Sequence, residues 1–253
     1  MSRFSVVDKR ILVTGGSHGI GAMIAGGYVD AGARVSICGR DESALVDRAR
    51  ELSERGTCVA LPADVSTEGG CRALADAYAK REDGLDVLVN NAGAASMQPF
   101  EEFDEEAWES VLAVNLKGVS HLTRFLLPQL RATASDDEPS RVINIGSISG
   151  ERVGDLDNYA YTSSKAALHH FTRHLARRLA PAITVNAIAP GPFESRMMAP
   201  ILARHADAIA QTVPMRRIGA PDDIASAAIY LASPAAAWVT GAVLTIDGGV
   251  SLT

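Results

Sequence analysis

Tyr161 and Lys165 stand four residues apart in the stretch NYAYTSSKAALHHF, residues 158–171. On a helix that spacing puts two side chains on one face, so a phenol and an ammonium can meet. A phenol with its ordinary pKa near 10 holds its proton too firmly to cycle near neutral pH. A cation within about 4–6 Å lowers such a pKa by roughly 1–3 units, towards the range useful for general acid/base work. Such a pair suits proton exchange with the alkoxide that develops when a ketone receives a hydride. Tyr159 is six residues from Lys165, off its face, and is expected to pack or to line the site. Lys165 is also one of only four lysines in a basic complement dominated by arginine, which singles out the ammonium. The competing reading of the pair alone is a surface tyrosine stacked on a lysine stem. His169 and His170 lie about two turns further on and are expected at the surface or an interface. His121, His174 and His205 have no metal-like spacing with carboxylates or cysteines, so no metal site is expected. No G-x-S-x-G elbow occurs, which argues against a serine hydrolase.

Hydride chemistry needs a donor, and TGGSHGIG (14–21) offers a place to bind one. Gly15, Gly19 and Gly21 follow an apolar run and precede a helical pattern. Glycine accepts positive φ and lets backbone approach a ligand; the helix behind it aims free N–H groups and a positive dipole end at a phosphate. The alternative is a tight structural turn. No G-K-[ST] ending is present, so a triphosphate loop is not expected. A dinucleotide site usually carries an acid at the end of the second strand, for the ribose 2′-OH. Here that end reads ICGRDE, with small Gly39 and then Arg40 ahead of the acids. A cation at that point attracts a 2′-phosphate, and His18 in the glycine turn could add to it, so NADP(H) is expected in preference to NAD(H). Arg40 could instead cap the next helix or pair with Glu42.

These residues need a scaffold, and the pattern of the chain supplies one. Apolar runs at 10–15, 34–39, 57–64, 85–93, 141–147, 183–191 and 242–249 alternate with helical patterns at about 19–31, 41–54, 67–80, 104–130, 158–180 and 221–232. Short apolar strands alternating with helices indicate a parallel sheet covered on both faces. The expectation is one doubly wound α/β domain over 1–253. Residues 192–215, rich in Met, Pro and Ala, break the rhythm beyond a strand's carboxyl end, where open α/β sheets bind ligands. ASDDEPS (134–140) reads as a surface turn.

Composition narrows the class. Of the 253 residues 47% are hydrophobic and 21% charged, the balance of a globular protein with a full core. A net charge of −6 without a basic block argues against a nucleic-acid or anionic-membrane binder. Cys38, Cys58 and Cys71 lie in apolar or Ala-rich contexts without a C-x-x-C pair, which suits buried reduced thiols. The N-terminal stretch shows no secretory pattern, and no uncharged apolar run reaches the roughly 18 residues of a membrane span. A cytoplasmic protein is expected.

TGGSHGIG, NNAG (90–93), Asn115 in AVNLKG, NIGSISG (144–150), YTSSK (161–165), PG (190–191) and IDGG (246–249) occur in the order of the short-chain dehydrogenase/reductase family. The chain resembles that family over essentially its whole length. RVINIGSISG and IAPGPFESRM further resemble the rhamnolipid-associated 3-oxoacyl reductases. The resemblance implies a Rossmann-type domain with a seven-stranded parallel sheet and a catalytic set of Asn115, Ser147, Tyr161 and Lys165. Ser147 and Ser149 both follow the fifth strand and could hydrogen-bond a substrate oxygen; the resemblance favours Ser147. It implies that Asn115 holds a water relaying protons through Lys165, with a mid-helix kink as the plainer alternative. Cofactor contacts are implied at Gly15, Ser17, His18, Gly19, Ile20, Gly21, Arg40, Asp64 (towards the adenine amino group), Val65, Asn91, Ala92, Gly93, Tyr161, Lys165, Pro190, Gly191 and Ser195. Asn90 is expected to support the sheet. Ser147 and Tyr161 are fourteen residues apart, one more than in many relatives, which points to a reshaped loop ERVGDLDN.

The resulting expectation is an NADP(H)-dependent oxidoreductase that interconverts a ketone and a secondary alcohol. Phe193, Met197, Met198, Ile201 and Met215 suggest a lid over a hydrophobic substrate, with a 3-oxoacyl group first and a polyol, sugar or steroid alcohol as competitors. From another class, a cofactor-binding sensor without turnover would not need the acid/base set. Relatives pair the 104–130 and 158–180 helices across subunits, implying a homodimer or homotetramer.

Overall fold

The computed structural model describes residues 2–252 apart from Asp136, Asp155, Arg196 and Met197; the side chains of Pro200, Ile201, Leu202 and His205 are also outside the description. Seven strands form one sheet: β1 (Arg10–Thr14), β2 (Arg34–Gly39), β3 (Thr57–Pro62), β4 (Val87–Asn90), β5 (Ser140–Ile145), β6 (Ile183–Pro190) and β7 (Val243–Ile246). Their order is β3-β2-β1-β4-β5-β6-β7, and every pairing is parallel. The order reverses direction between β1 and β4, and a crevice opens there at the carboxyl ends of the strands. Central strands bury both faces: Ile11, Leu12 and Val13, and Val87, Leu88 and Val89, have no measurable exposure. That double burial explains their unbroken apolar runs.

The helices divide between the two faces. α1 (Gly19–Asp30) and α2 (Glu42–Ser53) pack on one side; α3 (Glu68–Ala79), α5 (Val119–Thr133) and α6 (Tyr159–Leu179) pack on the other. α4 (Glu105–Leu112) leads towards α5, α7 (Ala199–Thr212) follows β6, and α8 (Pro221–Ala232) packs beside α1. Sequence punctuation explains several boundaries. Asp41, Thr67 and Asp104 each cap a helix by accepting a hydrogen bond from a main-chain N–H three residues on.

Two segments differ from the sequence expectation. The single helix expected over 104–130 is broken into α4, a π turn at Ala113–Gly118 and α5. A wide turn inside a helix keeps the amphipathic period nearly intact, so periodicity does not reveal it. The 192–215 excursion, which breaks the strand–helix rhythm, contains α7. It is closed at its root, where Phe193 forms a parallel bridge with Gly219 and Gly219 N–H donates to Pro192 O at 2.9 Å.

Candidate active site

The glycine turn between β1 and α1 is held open by its neighbours. Gly15 and Gly19 have φ of 66° and 54°, a region that other residues adopt only with strain. Asn91 Nδ2 donates to Thr14 O at 2.8 Å and Gly15 O at 3.2 Å, while the Thr14 hydroxyl accepts from Asn91 N and Ala92 N. The turn after β4 is thereby fastened to the turn after β1. At the start of α1, His18 makes no side-chain capping bond. The first N–H groups of α1 thus face the crevice without a protein side chain to satisfy them, a setting suited to phosphate. Arg48 on α2 braces the turn from behind, its Nε donating to Ser17 O at 3.3 Å.

Arg40 lies exposed at the rim of the same crevice. Neither capping nor pairing with Glu42 describes it: Asp41 caps α2, accepting from Ala44 N at 3.1 Å, and no Arg40–Glu42 ion pair forms. Asp64 turns Oδ1 to Ser66 N at 3.0 Å. Cys38 forms part of the wall, where burial pushes its thiol up to about 12, so it stays protonated; Cys58 and Cys71 are buried as well.

At the other end of the crevice stand the residues that could move a proton. Lys165 is buried, and its ammonium donates to Ile145 O at 2.7 Å and sits 5.6 Å from the centroid of the Tyr161 ring. Burial lowers its pKa to about 8. Burial also raises the Tyr161 pKa, a rise only partly opposed by the hydrogen bond with Ser147. The expected lowering of the phenol by Lys165 is therefore not found: desolvation sets the direction of the shift. Ser147 lies just past β5 with its hydroxyl towards Tyr161, and its Oγ accepts from Ser149 N at 3.1 Å.

Asn115 occupies the π turn and is fully buried. Its Oδ1 accepts from Ala94 N at 2.8 Å, and its Nδ2 donates to Ala94 O and to Ser164 Oγ, both at 2.9 Å. Ser164 in turn donates to Tyr161 O at 2.7 Å. The Asn115 amide is thus used up in fastening the 91–95 turn to α6, and it does not reach the cavity wall. Asn90 supports the sheet as expected, donating to Asn144 Oδ1 at 2.9 Å, while Asn144 donates to Thr172 on α6. Tyr159 packs edge-on against Phe100 and Phe103, its hydroxyl donating to Asp157.

One cavity of about 1110 Å³ joins the two ends. Its wall brings together Gly15, Ser17, His18, Gly19, Ile20, Gly21, Arg40, Asp64, Val65, Asn91, Ala92, Gly93, Ser147, Tyr161, Lys165, Pro190, Gly191 and Ser195. Of the expected lid, Phe193 and Met198 belong to the wall, but Phe193 is 2% exposed and is anchored beneath the excursion rather than riding on it. Met215 is corrected: it is 64% exposed and away from the cavity. Met197 lies outside the described residues, as does the side chain of Ile201. His170 is exposed, but the surface expectation for His169 is wrong, since that ring is 2% exposed behind Ser147. The sequence signal for it was available: His169 is four residues after Lys165 and shares its inward face. Thr14 and Arg48 carry no spacing that would reveal them. Among the described residues no group of three His, Cys, Asp or Glu side chains is placed to hold a metal ion, and no helix is long and apolar enough to cross a membrane.

A parallel doubly wound sheet, an uncapped helix behind a glycine turn, and a tyrosine–lysine pair across the same crevice define an oxidoreductase of the dinucleotide-binding class. The comparisons with known proteins carry this further: the chain belongs to the short-chain dehydrogenase/reductase family. A family model described as enoyl-(acyl carrier protein) reductase matches residues 15–251. The rhamnolipids biosynthesis 3-oxoacyl-[acyl-carrier-protein] reductase of Pseudomonas aeruginosa is 47% identical over 98% of both chains. A solved structure described as the Pseudomonas aeruginosa RhlG/NADP active-site complex superposes with a TM-score of 0.96 at 46% identity, over 99% of both chains. Galactitol 2-dehydrogenase (L-tagatose-forming) of Cereibacter sphaeroides is 36% identical, covering 95% of this chain and 94% of that one.

Proposed function

We propose that this oxidoreductase uses NADPH to reduce the ketone of a 3-oxoacyl or similarly hydrophobic substrate. The observation that carries the substrate class is the distribution of charge in the cavity. Every charged side chain in its described wall, Arg40, Asp41, Asp64 and Lys165, stands at the glycine turn, the ends of β2 and β3, or the Tyr161 pair. The remainder is built largely from apolar side chains such as Met97, Val114, Ile148, Leu156, Met198, Ile209 and Val250, with the Asn158 amide and a few hydroxyls. An apolar chain gains by filling such a space, whereas a sugar or sugar acid would find few fixed partners. The similarity to a 3-oxoacyl reductase supports the same reading.

Bound along the crevice, the nicotinamide cofactor supplies the hydride. The turn at Gly15–Gly21 and the start of α1 would take its pyrophosphate, Arg40 its 2′-phosphate, Asp64 and Val65 its adenine end, and Asn91–Gly93, Pro190, Gly191 and Ser195 its nicotinamide end. Ser147 would donate a hydrogen bond to the substrate carbonyl, favouring the charge that develops on that oxygen. Tyr161, kept protonated by burial, would deliver its proton to the same oxygen. Lys165 would stabilise the phenolate left behind and pass a proton back towards solvent. A water in that path would be held by the main chain around Asn115, whose amide is already engaged. Buried reduced thiols and NADPH use fit a cytoplasmic enzyme, and α5 and α6 offer faces for a homodimer or homotetramer. The single domain over 1–253 would then carry cofactor and substrate together, the 192–215 excursion covering the acyl part.

The test is loss of NADPH absorbance with a panel of 3-oxoacyl thioesters, polyols and sugar acids. Turnover confined to medium or long acyl chains is expected. Turnover of galactitol or a sugar acid in preference to every thioester would overturn the substrate class.

A further inference from the structure

His169 lies on α6 four residues after Lys165, one turn further along the same inward face. Its ring does not line the cavity; it backs the main chain that presents Ser147. Two glycines make room for it. A Cβ on Gly146 would stand 2.1 Å from His169 Nε2, and one on Gly150 would stand 3.0 Å from Cε1. Both flank the short loop that carries the serine: a side chain at Gly146 would drive ring and loop apart, and one at Gly150 would first meet the α6 main chain, 2.8 Å from Lys165 C.

The polar contacts of the ring define its state. Ser147 N–H points at His169 Nε2 across a long 3.5 Å, and Nδ1 faces Glu151 Oε1 at the same distance. A nitrogen that accepts leaves the ring proton on the other one, so the imidazole is neutral with its proton on Nδ1. Burial, Lys165 and Arg173 push its pKa down to about 4, which keeps it neutral at working pH. Nε2 thus addresses the Ser147 end of the loop, while Nδ1 is buried without a hydrogen-bond partner among the described residues.

We propose that His169 is a positioning residue for the reaction: its Nε2 backs the Ser147 N–H and its ring fills the space behind the loop, fixing the direction of the Ser147 hydroxyl. The inference rests on the reading of Ser147 as the donor to the substrate oxygen. Ser147 is also held on its other side, where Gly150 N donates to its carbonyl O at 3.0 Å and Ser149 N donates to its Oγ at 3.1 Å. It is extended at φ −170° and ψ 151°, followed by a single 3-10 turn at Ile148–Gly150. A hydroxyl that must meet a substrate oxygen tolerates only about 0.5 Å of error, so a support behind its main chain matters.

Four variants of the full chain test this, each read by kcat, KM for the ketone, and Kd for NADPH. His169→Leu fills the site without an acceptor and is expected to lower kcat about tenfold, the usual consequence of stranding a buried donor, with NADPH Kd unchanged. His169→Gln can place Oε1 where Nε2 stood and is expected to recover most of the rate. Ser147→Ala should lose far more. The double variant H169L/S147A should be no slower than Ser147→Ala, because the histidine acts only through the serine. His169→Asn, polar but too short to reach Ser147 N–H, replaces His169→Leu in every comparison if that variant does not fold. Wild-type kcat in the acceptor-free variant, equal loss with Gln, or multiplying losses in the double variant would each overturn the inference alone. Full activity in Ser147→Ala would overturn the reading of the serine and the inference with it.

Discussion

Lys165 Nζ donates to Ile145 O at 2.7 Å while standing 5.6 Å from the centre of the Tyr161 ring. The last carbonyl of β5 therefore decides where the ammonium sits, and burial keeps the phenol above it protonated. Replacing Tyr161 with Phe removes the proton but not the shape. The expected result is a fall in kcat of about 10²–10⁴-fold, with NADPH binding, followed by fluorescence, within a few-fold of wild type. Undiminished turnover would remove Tyr161 from the mechanism.

The buried ammonium destabilises the fold. With a folded pKa near 8 against an ordinary 10.5, the unfolded chain binds more protons between these values, so stability rises with pH through that window. Below pH 8 the penalty is fully present, and it amounts to at most about 3 kcal/mol. Lys165→Met should accordingly be inactive yet melt several degrees higher than wild type at pH 7, with the difference shrinking towards pH 10. Calorimetry across that range reads it, and a variant that melts lower at pH 7 would contradict the assignment.

His169 contributes in the same sense, in a window at the acid end. Its folded pKa near 4 lies below the ordinary 6.5, so its contribution is present above pH 6.5 and drains away as pH falls towards 4. Glu151, Lys165 and Arg173 are the charges that face it. His169→Gln should flatten the acid limb of the stability curve, as measured by urea unfolding at pH 7 and pH 4.5. An unchanged acid limb would show that the ring is not the group that titrates.

Arg40 separates the two cofactors. Arg40→Ala should raise the KM for NADPH by about 10–100-fold, the scale of one charge-assisted hydrogen bond, and leave the KM for NADH nearly unchanged. Equal losses for both cofactors would assign Arg40 to structure rather than to the 2′-phosphate.

Gly21 tests the latch between the two turns. A Cβ there would lie 2.2 Å from Gly15 O and 2.4 Å from Asn91 Nδ2. Gly21→Ala should lower the melting temperature and weaken NADPH binding together, because one displacement spoils both the turn and the start of α1. Loss of binding at an unchanged melting temperature would mean that the latch is not structural.

The sheet was legible because burial on both faces leaves each central strand an uninterrupted apolar run, as in RILVTG and LDVLVN. The Tyr161–Lys165 pair was legible because helical spacing alone puts the two side chains on one face. The π turn at Ala113–Gly118 was not, since an amphipathic pattern survives one widened turn. Nor were the partners of Asn115 and Thr14, which depend on segments far away in sequence meeting at the ends of strands. His169 shows a different failure. Histidine beside histidine reads as polar surface; the i+4 relation of His169 to Lys165 marks the inward face, and the glycines at 146 and 150 make the space that takes the ring inside. The helix α7 was hidden because Pro200 and the methionines that flank it, Met197, Met198 and Met215, break the periodic pattern around it.

The bridge between Phe193 and Gly219 has a consequence for how such a chain can change. It ties the departure and the return of the chain together, so α7 forms an annex closed at its root, beyond Ser195. Insertions, deletions or new side chains within that annex would leave the floor beneath it, with Tyr161, Lys165 and Ser147, where it is. Substrate choice and reaction chemistry can thus diverge independently, and one scaffold can acquire new clients without relearning its proton transfer.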